Sequence, residues 1–235
     1  MGAAVPGRPL LASAWEKGLV LGGTNYFSQE MAKLVIPRKT VYRLSVYYRA
    51  LQRLKANSVD TVSSAALSKA AGVKPTQLRK DLAYFGHFGT RGLGYNVDAL
   101  CVRLTDVLGT TQLQPVILVG AGHLGSALLR YPGFAKEGFE VIAAFDAEAN
   151  RKRRGIGVKV LPMEKLEEVV RKRQVKMAIL AVPATVAQEV TNGLVRAGIL
   201  AVLNFAPQIL QVPDNVVVNN VDLAIELENL SYFIQ

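Results

Sequence analysis

The chain has 235 residues, a formal net charge of +10 and one cysteine. That length allows one large domain or two modest ones, and Cys101 alone excludes an internal disulfide framework or a multi-cysteine zinc site. No apolar run is long enough to span a bilayer, and residues 10–22 lack the basic start and cleavage site of a signal peptide, so no membrane partner is expected and cytoplasm is the natural compartment.

The charge is unevenly spread. Residues 34–100 carry eleven Lys or Arg against Asp60, Asp81 and Asp98, whereas the remaining segments are close to balance. A basic segment of this kind attracts a polyanion. Ahead of it, residues 1–33 mix Gly, Pro, Ala and Ser with scattered apolar residues and no sustained period, which reads as a flexible extension; Met31 offers an alternative start.

Pro37 opens the first ordered element, in which Val41, Leu44, Val46, Tyr47, Tyr48, Leu51 and Leu54 recur at helical spacing. Its other face is basic: Arg38, Lys39, Arg43, Arg49, Arg53 and Lys55. Ser63 or Ser64 caps a short second helix with Leu67, Ala70 and Ala71 inward. Gly72-Val73 then turns the chain, and Lys74-Pro75-Thr76 begins a third helix that runs to Phe85. Helix, glycine turn, helix is the helix-turn-helix pattern for double-stranded DNA, and the start of the recognition helix carries Thr76, Gln77, Arg79 and Lys80, which suit base edges and phosphates. The next ten residues, Gly86 to Tyr95, hold four glycines, one arginine and three aromatic rings counting His87, the composition of a twisted hairpin or wing. Arg91 at its tip is suited to the negative potential of a minor groove. Residues 34–98 are therefore expected to form a winged helix-turn-helix domain. Residues 99–115 follow as a linker, with a helix over Val97–Leu108 and a hinge at Leu113–Pro115.

Residues 116–220 alternate strand and helix patterns, which implies an α/β unit with a parallel sheet of the Rossmann type. Val116–Val119 is a short apolar strand, and it runs into Gly120-Ala121-Gly122-His123-Leu124-Gly125. In this G-x-G-x-x-G spacing the first glycine permits a tight turn, the second lets the backbone approach a pyrophosphate, and the third lets the helix pack close. The helix N-terminus offers N–H groups to the phosphates. Asp146 closes the next apolar strand, Val141–Phe145, at the place where an acid accepts hydrogen bonds from an adenosine ribose. That acid favours NAD(H) over a 2′-phosphorylated cofactor, although Arg151–Arg154 could hold such a phosphate. Further strands are expected at Val158–Leu161, Met177–Val182, Ala201–Asn204 and Val216–Asn219, with helices at Met163–Arg173 and Thr185–Ala197. Pro183 and Asn204-Phe205-Ala206-Pro207 then fall at carboxyl ends of strands, beside the crevice. Residues 221–235 hold a terminal amphipathic helix, Leu223–Phe233.

No acid–base residue accompanies this nucleotide site. His87 lies in the wing and His123 inside the glycine loop, and no Ser/Lys/Tyr set stands beside the nicotinamide end. A catalytic role is therefore not expected: the dinucleotide is read, not consumed. The alternative is a small NAD-dependent dehydrogenase with a basic N-terminal domain.

From about Ile36 onward the chain resembles the Rex family of redox-sensing transcriptional repressors. The resemblance rests on Gln77-Leu-Arg-Lys-Asp-Leu82, Tyr84-Phe-Gly86, Gly89-Thr-Arg-Gly92 with Gly94-Tyr95, Gly120–Gly125, Tyr131-Pro-Gly-Phe134 and Asn204-Phe-Ala-Pro207. It implies a homodimer that binds an inverted-repeat operator when NADH is scarce and releases it when the ratio of NADH to NAD+ rises. It implies that the terminal helix is swapped onto the partner subunit, serving dimerisation. It further implies a switch among Arg49, Tyr131 and Asp222. Family members often place phenylalanine after that aspartate, toward the partner's nicotinamide; here the residue is Leu223. NADH and NAD+ differ by one charge and by planarity at the nicotinamide ring, so discrimination is expected at the apolar end of the crevice, among Pro183, Phe205, Pro207 and Leu223.

Overall fold

The computed structural model describes residues 36–90, 92–150, 155 and 157–234; the 1–33 extension, Arg91 and Arg151–Arg154 lie outside the described residues. The chain divides into two compact units between Tyr95 and Asn96.

The first unit holds three helices, α1 (Arg38–Ala56), α2 (Ser64–Ala70) and α3 (Pro75–Ala83), which pack on one another. In α1 the buried residues are Thr40, Leu44, Tyr47, Ala50 and Leu51, a stripe at helical spacing. Val41 is exposed and Val46, Tyr48 and Leu54 are partly exposed, because one stripe of a 3.6-residue helix cannot hold all seven expected apolar positions. Ser63, not Ser64, caps α2 by accepting from the Ala66 N–H at 3.1 Å. Pro75 sits in the first turn of α3, where its missing N–H costs nothing. The helix ends at Ala83, short of the expected Phe85, although Phe85 is buried. Strand β1 (Thr61–Val62) pairs with β2 (Tyr95–Asn96) in a two-stranded sheet. Between α3 and β2 the wing is less regular than a hairpin: Thr90 and Gly94 exchange two backbone hydrogen bonds of 3.1 Å and close a tight turn.

The second unit begins with α4 (Val97–Leu108), whose N-terminus is capped by the Asn96 side chain accepting from the Ala99 N–H. Six strands then form one sheet: β3 (Gln114–Val119), β4 (Phe139–Phe145), β5 (Val160–Leu161), β6 (Met177–Leu180), β7 (Ala201–Asn204) and β8 (Val217–Asn220). They lie in the order β5-β4-β3-β6-β7-β8, and every pairing is parallel. This is the doubly wound dinucleotide-fold order. Helices α5 (His123–Leu129), α6 (Gly133–Lys136), α7 (Leu166–Lys172, after a 3-10 turn Met163–Lys165) and α8 (Ala184–Ala197) connect the strands, and α9 (Leu223–Tyr232) ends the chain.

Alternation along the strands divides the core into two layers. Ile117, Val119, Ala178 and Leu180 point to one face with Leu166 and Val170 of α7 and Ala187 and Leu194 of α8. Val116, Leu118 and Ile179 point to the other, with Leu128, Leu129 and Phe134. In β4 the register shifts so that Val116 pairs with Val141 and Ile117 with Ala143, leaving Ile142 as an extra residue. The bulge puts Ile142 and Ala143 on the same face and explains a strand whose apolar run shows no alternation. Full burial of each aliphatic side chain here contributes about 1.5–3 kcal/mol. Because every strand is parallel, their carboxyl ends share one edge, and there the chain places Gly120, Asp146, Pro183, Phe205 and Asp222.

Candidate functional site

At that edge the glycine loop is built by close contact. Gly120 has φ +94°, and a Cβ there would lie 2.4 Å from the Ala181 carbonyl oxygen at the end of β6. A Cβ on Gly125 would lie 1.8 Å from the Gly120 carbonyl oxygen, so only glycine lets α5 close onto the loop. Gly122 differs: a Cβ there would meet nothing within 4 Å. The space in front of its backbone is open, and the first turn of α5 behind it has N–H groups with no partner inside the helix. Such a cradle suits the oxygens of a pyrophosphate. His123 and Leu124, the first residues of α5, are exposed beside it, and Ala121 is buried. The Ser126 hydroxyl donates to the Ala121 carbonyl at 2.9 Å and fixes the turn.

Asp146 follows β4. One carboxylate oxygen accepts from the Ala121 N–H at 2.6 Å and the other from the Glu148 N–H at 2.8 Å. The acid is thus held against the glycine loop from the neighbouring strand.

Beyond β6 and β7 the edge is apolar. Pro183 caps α8 and is exposed, and Phe205 is half-buried against the layer containing Val116 and Ile179. Asn204 has a different setting from its neighbours. Its side chain is fully buried and accepts from the Ala206 N–H at 2.9 Å, while the two hydrogens of its NH2 are shared among Ala206 O, Gln208 O and Asn220 Oδ1 at 3.1, 3.0 and 2.9 Å.

Tyr131 stands after α5 with its ring edge-on to Phe134 at 5.1 Å and folded over Gly133, where a Cβ would come within 2.3 Å of the ring. Asp222 caps α9, accepting from the N–H groups of Ala224 and Ile225. No residue of α9 is buried, and Leu223, Ile225, Leu227, Leu230 and Tyr232 are all more than half exposed. Tyr131 and Asp222 belong to the second unit, whereas Arg49 is exposed on α1 in the first.

In the first unit, Thr76, Arg79 and Lys80 are exposed on α3. The Arg79 guanidinium donates to the Ser64 hydroxyl at 3.1 Å and, with His87 and Tyr95, lines a cavity of about 510 Å³ between the α2 start, α3 and the wing. Burial raises the Tyr95 phenol above its ordinary range. Gln77 is half-buried, and its amide donates to Asp81 at 2.9 Å.

Asp81 is a feature that composition alone did not reveal. It is fully buried, and it accepts from Arg43 at 2.6 and 2.7 Å, from the Tyr47 hydroxyl at 2.6 Å, from Gln77, and from Thr40 at 3.3 Å. Burial pushes its carboxyl upward, but the bonds from Arg43, Tyr47 and Gln77 outweigh that and hold it below its ordinary value. Burial and the same carboxylate push the Tyr47 phenol up. Arg43, expected on the basic outer face of α1, instead turns toward this acid because an unpaired buried carboxylate is far costlier than one solvated arginine lost. The available signal was a lone acid inside Gln77-Leu-Arg-Lys-Asp81, in a helix otherwise basic.

Among the described residues, no group of three or more His, Cys, Asp or Glu is placed to hold a metal ion. No helix among them is long and apolar enough to cross a membrane.

Comparison with known proteins covers both units. A family model described as a putative DNA-binding protein N-terminus matches residues 35–83, and one described as a CoA binding domain matches residues 111–208. The redox-sensing transcriptional repressor Rex of Carboxydothermus hydrogenoformans is 48% identical over 201 residues, 85% of this chain and 97% of the relative. The protein of the same name from Streptomyces coelicolor is 46% identical over 198 residues, 84% of this chain and 77% of the relative. Among solved structures, RSP in complex with β-NAD+ and operator DNA is similar at TM-score 0.80 and 38% identity, covering 86% of this chain and 94% of that one. RSP in complex with β-NADH gives TM-score 0.76 at 37% identity, with 86% and 95% covered. RSP is a Rex-family repressor. Relatives named as transcriptional repressors leave no support for the alternative of a small dehydrogenase.

Proposed function

Because the chain belongs to the Rex family of redox-sensing transcriptional repressors, we propose that it holds an inverted-repeat operator as a homodimer and releases it when NADH occupies the crevice at the sheet edge. The observation that carries this reading is the likeness of one continuous chain, at TM-score 0.80, to a structure containing both β-NAD+ and operator DNA.

The pyrophosphate of NAD(H) lies against Gly120–Gly125, where the backbone of Gly122 is open to it. His123 and Leu124 supply N–H groups from the first turn of α5, and the Asp146 carboxylate takes the adenosine ribose. The nicotinamide lies at the apolar end formed by Pro183, Asn204 and Phe205, completed by Leu223 of the partner subunit. A neutral reduced ring is favoured there and a charged one pays for desolvation. The glycine loop binds both forms about equally, so the difference between them arises at the ring.

The 34–98 segment is the DNA-binding domain. Thr76, Arg79 and Lys80 of α3 enter the major groove, and Arg91 reaches the minor groove. Gln77 contributes through its bond to Asp81, which orients α3. Residues 99–115 join this domain to the 116–220 nucleotide-binding domain, and 221–235 serve dimerisation: the exposed apolar face of α9 is covered by the partner subunit. Arg49 pairs with Asp222 in one dimer state, with Tyr131 changing hydrogen-bond partners between states. Acting on the chromosome, the protein works in the cytoplasm.

The test is a gel shift on an inverted-repeat duplex, with NADH and NAD+ titrated separately. Release by NADH at concentrations where NAD+ leaves the complex intact is the expected result. Equal retention of DNA with either nucleotide overturns the reading.

A further inference from the structure

We infer that Asn204 and Asn220 are positioning residues that tie the crevice lining to the root of α9, so that a change at the nicotinamide end is passed to the dimer helix. This rests on the NADH-driven release proposed above. Neither residue needs to touch the nucleotide for it.

The argument starts from the amide of Asn204. A backbone N–H can only donate, so the Ala206 N–H fixes the Asn204 carbonyl oxygen toward the turn. Its NH2 group then faces Ala206 O, Gln208 O and Asn220 Oδ1, and Asn220 must present its oxygen. The orientation of both amides follows from the network itself.

Two connections therefore leave Asn204 toward α9. The side chain reaches Asn220 at 2.9 Å, and the backbone carbonyl accepts from the Val221 N–H at 2.8 Å. The next residue is Asp222, whose carboxylate caps α9. On the other side, the same side chain closes the turn from Asn204 to Gln208 that carries Phe205 and Pro207. Phe205 is also tied to β6 through its N–H, which donates to the Leu180 carbonyl at 2.8 Å. A shift of Phe205 thus moves a turn whose internal bonds and whose link to Asn220 come from one buried amide. Buried polar groups of this kind are costly to leave unmade, so turn and strand end move as one body.

The Asn220 side chain is the clean point of intervention, since the residue is exposed at the end of an edge strand and is not one of those proposed to hold the nucleotide. Asn220→Ala removes the acceptor. Asn220→Asp keeps an oxygen in the same place. Asn220→Gln keeps the amide but displaces it by one methylene. For each full-length variant, fluorescence anisotropy with a labelled inverted-repeat duplex gives the DNA dissociation constant with and without saturating NADH, and a separate titration gives NADH affinity without DNA.

In Asn220→Ala and Asn220→Gln, the factor by which NADH weakens DNA binding is expected to shrink about threefold to tenfold, the equivalent of one hydrogen bond. Asn220→Asp should keep the wild-type factor within about twofold, and all three should bind NADH alone within about twofold of wild type. If Asn220→Ala does not fold, Asn220→Gln carries the test with the same expectation. A wild-type factor in the folded Ala or Gln variant overturns the inference, as does an Asp variant that loses as much as they do. A wild-type protein that ignores NADH overturns the functional reading instead, so the two failures are distinct.

Discussion

Arg43 grips Asp81 with a two-pronged contact, Nε to Oδ2 at 2.6 Å and Nη2 to Oδ1 at 2.7 Å, and this fork joins α1 to the helix that carries Thr76, Arg79 and Lys80. Tyr47 and Thr40, also from α1, fill the other acceptor positions of the same carboxylate. The angle at which α3 is presented is therefore set by one buried acid. Asp81→Asn replaces an acceptor by a donor facing Arg43 and is expected to destabilise the first unit by about 2–4 kcal/mol. Chemical denaturation followed by a probe in that unit measures it.

The same acid predicts a pH dependence. Its folded carboxyl lies below the ordinary value, so the unfolded chain takes up the proton first as pH falls. The stability due to Asp81 is fully present above about pH 4 and is lost as pH drops from there through the folded value. Denaturation curves between pH 3 and pH 7 should show this loss in wild type and a shallower slope in Asp81→Asn.

Gln77 and Lys80 separate scaffold from contact. The Gln77 amide is committed to Asp81, so Gln77→Ala is expected to cost about 1 kcal/mol of stability and to leave base preference at the operator unchanged. Lys80 is exposed. Lys80→Ala should weaken DNA binding and reduce the slope of log affinity against log salt by about one. Operator variants and a salt series, measured by anisotropy, distinguish the two outcomes.

Gly125 and Gly122 of the loop predict contrasting effects. Gly125→Ala forces a methyl into the Gly120 carbonyl, and its second unit should lose stability along with NADH binding. Gly122→Ala meets no protein atom, so its melting temperature should stay near wild type while NADH affinity falls by about tenfold or more. Such a variant would remain on DNA at high NADH. Calorimetric titration beside a thermal melt tests the pair.

Asp146 predicts cofactor choice. Wild type should prefer NADH to NADPH, because a 2′-phosphate would meet a carboxylate already held against the loop. Asp146→Ala removes both the ribose partner and the acceptor for Ala121, so NADH binding should weaken and the preference over NADPH should narrow by about tenfold. Parallel titrations with the two cofactors give the ratio.

The order of elements was readable from sequence because the parallel sheet writes itself as short apolar runs separated by capped helices. Ala201–Asn204 matched to the residue, and the glycine spacing located the tight turn. Strand ends were less legible: β4 begins at Phe139 rather than Val141, and its bulge at Ile142 depends on the register of β3, which no local pattern states. The wing composition announced a turn but not its form, since closure depends on the Thr90 and Gly94 backbone pair. Arg43 departs furthest from its expected place. A cation on the polar side of a helix looks solvated until the acid it must neutralise, 38 residues away, is seen to be buried. Asn204 gave a similar lesson: the residue type signals polarity, whereas only the packed turn reveals that its amide is spent inward.

Helix α9 leaves Leu227, Leu230 and Tyr232 exposed on a chain considered alone. The proposed homodimer obeys mass action, so its melting temperature should climb with protein concentration. Below the dissociation constant of the pair, operator occupancy grows as the square of chain abundance rather than in proportion to it. The number of copies a cell makes then becomes part of the sensor's calibration, setting how much reduced cofactor is needed before transcription resumes.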